Sequence, residues 1–149
     1  MDRACRANWG REDDYLGGLV DVEGRPFPVY HVYRMYAGMS GQMRVATEGN
    51  NRTLACLASR SDGRWEVLLG SVAQGSRKVV LELQGLGTQP LQPEVQFISN
   101  TNLGEPLAAS DIPVLKKYSW ERQASMLRIT LDEVAENQAY HVVLRPGER

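Results

Sequence analysis

Sulfur, imidazole and long apolar runs are all scarce in this sequence, and each scarcity removes a class of protein. Two cysteines in 149 residues permit one disulfide at most, so no disulfide framework takes the place of a hydrophobic core. Cys56 lies in the apolar run Leu54 to Ala58, where a buried reduced thiol is expected in preference to a bridge with Cys5. The two histidines, His31 and His141, are too few for a histidine-rich metal centre. No Cys/His cluster with metal spacing, phosphate-binding glycine loop or nucleophile elbow occurs, and no cofactor is expected. No stretch approaches the ~20 apolar residues of a membrane-spanning helix, and the polar opening residues 1–14 are no signal-peptide core. A formal net charge of -1 gives nucleic acid or an anionic membrane no bulk attraction to exploit.

What is present is the material for one ordinary domain. A chain of this length buries roughly 70% of the surface that it exposes when unfolded, which one core can supply. The pattern divides near Gly41. Before it, residues 1–25 are polar and irregular, with Asp21-Val22-Glu23-Gly24 as a turn. Pro26 then opens a predicted helix over 26–38, since proline suits the first turn and Gly38 suits a left-handed stop. Val29, Val32, Tyr33 and Tyr36 recur at three- and four-residue spacing, so one face of this helix needs cover.

After Gly41 the period changes to two. Predicted strands run over 43–48, 53–60, 65–72, 77–86 and 94–100, with two more around Leu127 to Leu131 and Tyr140 to Leu144. The turn Ser61-Asp62-Gly63 makes the second and third of these a hairpin. Residues 101–123, interrupted by Pro106 and Pro113, read as a long connection with one short strand at Val114 to Tyr118. Many short strands without intervening helices predict an all-β fold, an antiparallel β-sandwich of seven to eight strands preceded by an irregular segment and one α-helix.

Chemistry is harder to find. Glycoside hydrolysis needs two carboxylates roughly 5–10 Å apart, one of them kept protonated. The acidic groups Glu12-Asp13-Asp14 and Asp132-Glu133 with Glu136 read instead as solvated loop residues, the second pair in a turn after a strand. His31 and His141 have no partner legible in the sequence and read as surface or helix-packing residues. Sugar binding without catalysis needs exposed aromatic platforms, because the apolar face of a pyranose stacks on an indole or phenol ring. Trp65, in phase with Val67 and Leu69, reads as core. Tyr118 and Trp120 share a parity and are the candidate platforms.

The stretch over residues 19–39, LVDVEGRPFPVYHVYRMYAGM, resembles the segment closing the TIM barrel in clan A glycoside hydrolases, in particular the β-xylosidase/α-L-iduronidase family and the related α-L-arabinofuranosidases. Gly18-Leu19, Asp21, Gly24-Arg25-Pro26, Pro28, Tyr30, Tyr33 and Arg34 carry the match. Phe27, Val29 and His31 depart from it. The resemblance implies that residues 1–40 are the remnant of a catalytic barrel and that residues 41–149 form its C-terminal β-sandwich. It further implies that Trp9 lines the sugar site at the end of the last barrel strand and that the catalytic glutamates lie upstream of Met1.

Two functions follow as expectations. The first is a non-catalytic accessory domain that packs on and stabilises the catalytic TIM barrel. The second is a carbohydrate-binding module using Trp9, Tyr118 and Trp120. The uncovered helix face and open sheet edges also make a homo-oligomer an expectation.

Overall fold

The computed structural model describes residues 19–21, 23–39, 42–49, 52–61, 63–72, 74–99 and 104–146. These form one helix, α1 (Pro28–Gly38), and eight strands: β1 (Met43–Val45), β2 (Leu54–Ser61), β3 (Arg64–Ser71), β4 (Arg77–Leu83), β5 (Leu91–Ile98), β6 (Tyr118–Gln123), β7 (Met126–Val134) and β8 (Gln138–Pro146). A five-stranded sheet ordered β1-β2-β3-β8-β5 faces a three-stranded sheet ordered β4-β7-β6. Every strand pairing is antiparallel, so the architecture is an antiparallel β-sandwich.

The core lies between the sheets, and period-two alternation puts it there. Leu127, Ile129 and Leu131 of β7 are fully buried while the intervening Arg128 and Thr130 face outward. From the opposing sheet come Val67, Leu69, Val95, Tyr140, Val142 and Leu144. The alternation in β7 breaks after Leu131, where Asp132 and Glu133 are both exposed and the register against β4 shifts between Arg77 and Val79. An extra residue at such a bulge turns two successive side chains outward. The turn expected at Asp132-Glu133 is therefore a bulge inside a strand that continues to Val134.

Other expectations are also corrected. Residues 118–123, read as connection, form β6, which pairs with β7 along its whole length. The short strand expected at Val114 is a single bridge to Gln96, with Phe97 N–H donating to Pro113 O at 3.1 Å and Leu115 N–H to Val95 O at 2.7 Å. Residues 113–115 thus run along the outer edge of β5. Proline within β5 is tolerated because Pro93 sits on this edge strand. Helix α1 ends at Gly38 without a left-handed residue: the cap is Met39, with φ -81°. Cys56 is exposed, not buried. It shares a face of β2 with Ala58, but the smaller sheet does not reach over it.

The irregular lead-in is held by its own turn. Asp21 Oδ1 accepts the N–H groups of Glu23 at 3.0 Å and Arg25 at 2.7 Å, and Gly24 supplies φ +80°. The chain then bridges Val20 to Pro26 and enters α1 through Phe27, its extended N-terminal cap.

Candidate interaction face

Sheets in a sandwich usually bury one face and leave the other to water. The five-stranded sheet buries both along its interior strand β8. On β8 the residues Tyr140, His141, Val142, Val143 and Leu144 are consecutively buried, so two of them, His141 and Val143, are buried on the side away from the core. What covers them is α1, lying on the outer face of the sheet with Ala109–Asp111, a single 3-10 turn.

The helix uses an unexpected face. Pro28 and His31 are its buried residues, and Met39, one residue past its end, is 2% exposed. Val29, Val32, Tyr33 and Tyr36 are only half-buried. Of the two readings the sequence left open for His31, surface or helix-packing, the structure shows the packing one. The His31 ring is edge-on to Tyr30, and Nε2 lies 2.6 Å from Leu107 O. A carbonyl only accepts, so Nε2 carries the proton. Leu107 N–H in turn donates to Pro26 O at 2.7 Å, which ties the start of the helix to the long connection after β5.

Beneath the helix lies a charged cluster. Glu66 of β3 and His141 of β8 are 3% and 7% exposed, and His141 Nε2 lies 2.8 Å from Glu66 Oε2. Glu66 Oε1 accepts from Gln42 Nε2 at 2.8 Å and pairs with Arg64 Nε at 3.0 Å. Gln42 Nε2 also donates to Gly38 O at 3.1 Å, and Gln42 Oε1 accepts from Ser59 Oγ at 2.8 Å. The cluster therefore links three strands to the end of α1. Burial alone pushes the Glu66 carboxyl up, but the hydrogen bonds from Gln42 and His141 and the Arg64 charge outweigh it and hold Glu66 below the usual carboxylate range. Burial pushes His141 below the usual histidine range despite the opposing pull of Glu66. Neutral His141 donating to ionised Glu66 is the pairing both shifts describe. Nothing in the sequence marked it, because the partners are 75 residues apart.

Two hollows open on this face. One of about 310 Å³ is lined by polar side chains including Arg34, Gln42, Arg64, Gln96 and the Glu66–His141 pair. The other, a groove of about 520 Å³, runs beside the helix between Val29 and Val32 and the sheet residues Ala55, Gly70, Ile98 and Ala139. Its lining is largely apolar, and it contains two of the four helix residues expected to need cover.

The predicted sugar-contacting residues are not assembled into one surface among the described residues. Trp9 lies outside them. Tyr118 and Trp120 share the core-facing side of β6, opposite Leu131 and Ile129. Tyr118 is half-buried against the core, its hydroxyl donating to Pro93 O at 2.7 Å. Trp120 is 45% exposed, a single accessible indole on the rim. Among the described residues, no group of three or more His, Cys, Asp or Glu side chains is placed to hold a metal ion. No described helix is long and apolar enough to cross a membrane. Asp132, Glu133 and Glu136 are exposed, and Asp132 is 3.6 Å from Lys78, while Glu12, Asp13 and Asp14 lie outside the described residues.

No protein-family model matches this chain, and no curated protein is similar to it in sequence. Solved structures are similar in fold. N2152 from Neocallimastix frontalis superposes with a TM-score of 0.71 at 13% identity, over 87% of this chain and 33% of that one. The glycoside hydrolase family 30 endoxylanase of Clostridium papyrosolvens C71 gives 0.55 at 14% identity, over 85% of this chain and 30% of the enzyme. The family 30 subfamily 8 xylanase Xyn30A of Clostridium acetobutylicum gives 0.51 at 11%, over 86% and 30%. The chain thus spans about a third of the length of the proteins it superposes on. At the level of fold it matches part of family 30 xylanases, in agreement with the resemblance to the C-terminal domain of a clan A glycoside hydrolase that residues 19–39 carry.

Proposed function

We propose that this chain is a non-catalytic accessory β-sandwich of a glycoside hydrolase, and that it packs on and stabilises a catalytic barrel through the outer face of its five-stranded sheet. The observation that carries the reading is the apolar groove beside α1. On a sheet with one face already committed to the core, an apolar groove on the second face is of the kind retained where another body covers it. Residues 19–39 extend the argument, since their resemblance is to the last barrel helix, and α1 is seated where it borders the groove. On this reading residues 1–40 belong with the barrel and the catalytic glutamates lie in other parts of the protein.

The upstream gene provides the test. Reading the same frame before the codon for Met1 should disclose a barrel with glutamates at two strand ends, and a stop codon with a ribosome-binding site there would refute the proposal. A second reading, a carbohydrate-binding module, is favoured by the exposed indole of Trp120 alone. It requires that xylan or arabinan quench or shift the tryptophan fluorescence of the isolated chain, with the signal lost in Trp120→Ala.

A further inference from the structure

Helix α1 separates the two hollows of the outer face. Val29 and Val32 border the apolar groove, while His31, Arg34, Met35 and Gly38 line the polar hollow of about 310 Å³. At about 100° per residue the two sets lie on opposite flanks of the helix, so cover over the groove is not cover over the hollow. The floor of the polar hollow is formed by Glu66, His141 and Gln96 from β3, β8 and β5, with Gln96 the register partner of His141.

At the bottom is an imidazole with an unpaired acceptor. His141 is 7% exposed and gives its Nε2 proton to Glu66, which leaves Nδ1 as a lone pair. That nitrogen makes no hydrogen bond among the described residues and is open to the hollow, whereas His31 Nδ1 is sealed off from it. Buried imidazole nitrogens ordinarily find partners, and this one takes only a donor. The rim supplies the opposite chemistry. Arg34 is exposed and makes no hydrogen bond or ion pair among the described residues. Arg64 commits Nε to Glu66 Oε1 at 3.0 Å and keeps both Nη groups free among the described residues. Against these two cations stands one carboxylate, Glu66, so the lining is net positive. Glu66 holds Arg64 through Oε1 and His141 through Oε2, which brings a guanidinium and the bare Nδ1 within reach of one small ligand.

We infer that this hollow binds a small hydroxycarboxylate, its carboxylate held by Arg34 and Arg64 and its hydroxyl donating to His141 Nδ1. A guanidinium fork matches the two oxygens of a carboxylate. A dianion such as phosphate suits the site less, because the Glu66 carboxylate lies beneath it. No tyrosine, tryptophan or phenylalanine lines the hollow, so a sugar ring has no platform to stack on. Its volume is at the low end of the roughly 300–1,000 Å³ of ligand sites. The occupant is therefore a free hydroxy acid and not a polysaccharide. The site stands apart from the accessory role, which uses the other flank of α1.

The test titrates the full chain, labelled with 15N, with glycolate, acetate, glycolamide and inorganic phosphate at neutral pH. The chain has two histidines, whose ring nitrogens give separate signals. Glycolate should bind in the millimolar range and move the His141 Nδ1 signal upfield, as a lone pair does on accepting a hydrogen bond. Acetate, which has no hydroxyl, should bind at least about fivefold more weakly and leave that signal in place. Glycolamide, which has no charge, and phosphate should each be at least about fivefold weaker than glycolate. Arg34→Gln, at an exposed position, should weaken glycolate binding at least about threefold with the urea midpoint unchanged. Equal affinity for glycolate and acetate would overturn the inference. So would a His141 Nδ1 signal that glycolate leaves in place, or phosphate binding more tightly than glycolate.

Discussion

Glu66 is the residue on which the outer face depends most heavily. Its carboxylate accepts from Gln42 and His141 and pairs with Arg64, so truncation leaves the buried His141 N–H without its acceptor and takes one partner from both Gln42 and Arg64. Glu66→Ala should therefore cost about 2–4 kcal/mol, measured as a lower urea midpoint at unchanged slope. The same cluster sets an acid sensitivity. Both Glu66 and His141 have folded-state values below their ordinary ones, so the unfolded chain binds more protons and stability rises with pH. That contribution is complete above the ordinary histidine value of about 6.5. It is lost first as His141 is forced to charge and then as the pH falls through the depressed value of Glu66. Urea titrations across this range should show the decline, and Glu66→Gln combined with His141→Gln should flatten it. Tyr118→Phe removes the bond to Pro93 O and should cost about 1 kcal/mol. Trp120→Ala, which removes an indole 45% exposed at the rim, should cost about 1–2 kcal/mol, a loss small enough to leave the chain folded for a test of sugar binding.

At the scale of the element, the groove beside α1 makes a sharper prediction than the core does. Val29→Ser with Val32→Ser should leave the urea midpoint of the isolated chain within about 0.5 kcal/mol of the parent, because both side chains are only half-buried. The same pair should weaken attachment to a catalytic module, read as a lower melting temperature of the joined protein. The elements also show where the sequence was legible. Strands β2, β3, β4, β7 and β8 declare themselves through period-two alternation, and Gly63 has the φ of +76° that its turn position called for. Strand β6 stayed hidden because Tyr118-Ser119-Trp120-Glu121-Arg122-Gln123 has no aliphatic residue, and its inward side is carried by an edge-strand tyrosine and tryptophan. Strand β5 was read late because Pro93 resembles a break, which an edge position removes. The anchoring face of α1 was misread because hydrophobic periodicity cannot see a buried histidine whose Nε2 is paired with a carbonyl 76 residues away. The Glu66–His141 pair is invisible for the same reason: strand register, not spacing along the chain, brings it together.

Across the whole molecule, the unequal sheets leave their mark on which substitutions the chain can absorb. Strand β7 has a wet side, so its tolerance to replacement should alternate, strict at Leu127, Ile129 and Leu131 and permissive at Arg128 and Thr130. Strand β8 has no wet side between Tyr140 and Leu144, since the core lies against one face and the helix with its charged cluster against the other. A saturation library selected for folding should therefore give a sawtooth profile along β7 and a flat, intolerant plateau along β8. The plateau would make β8 the slowest-drifting segment of the chain over evolutionary time, and the strand by which distant relatives are most readily aligned.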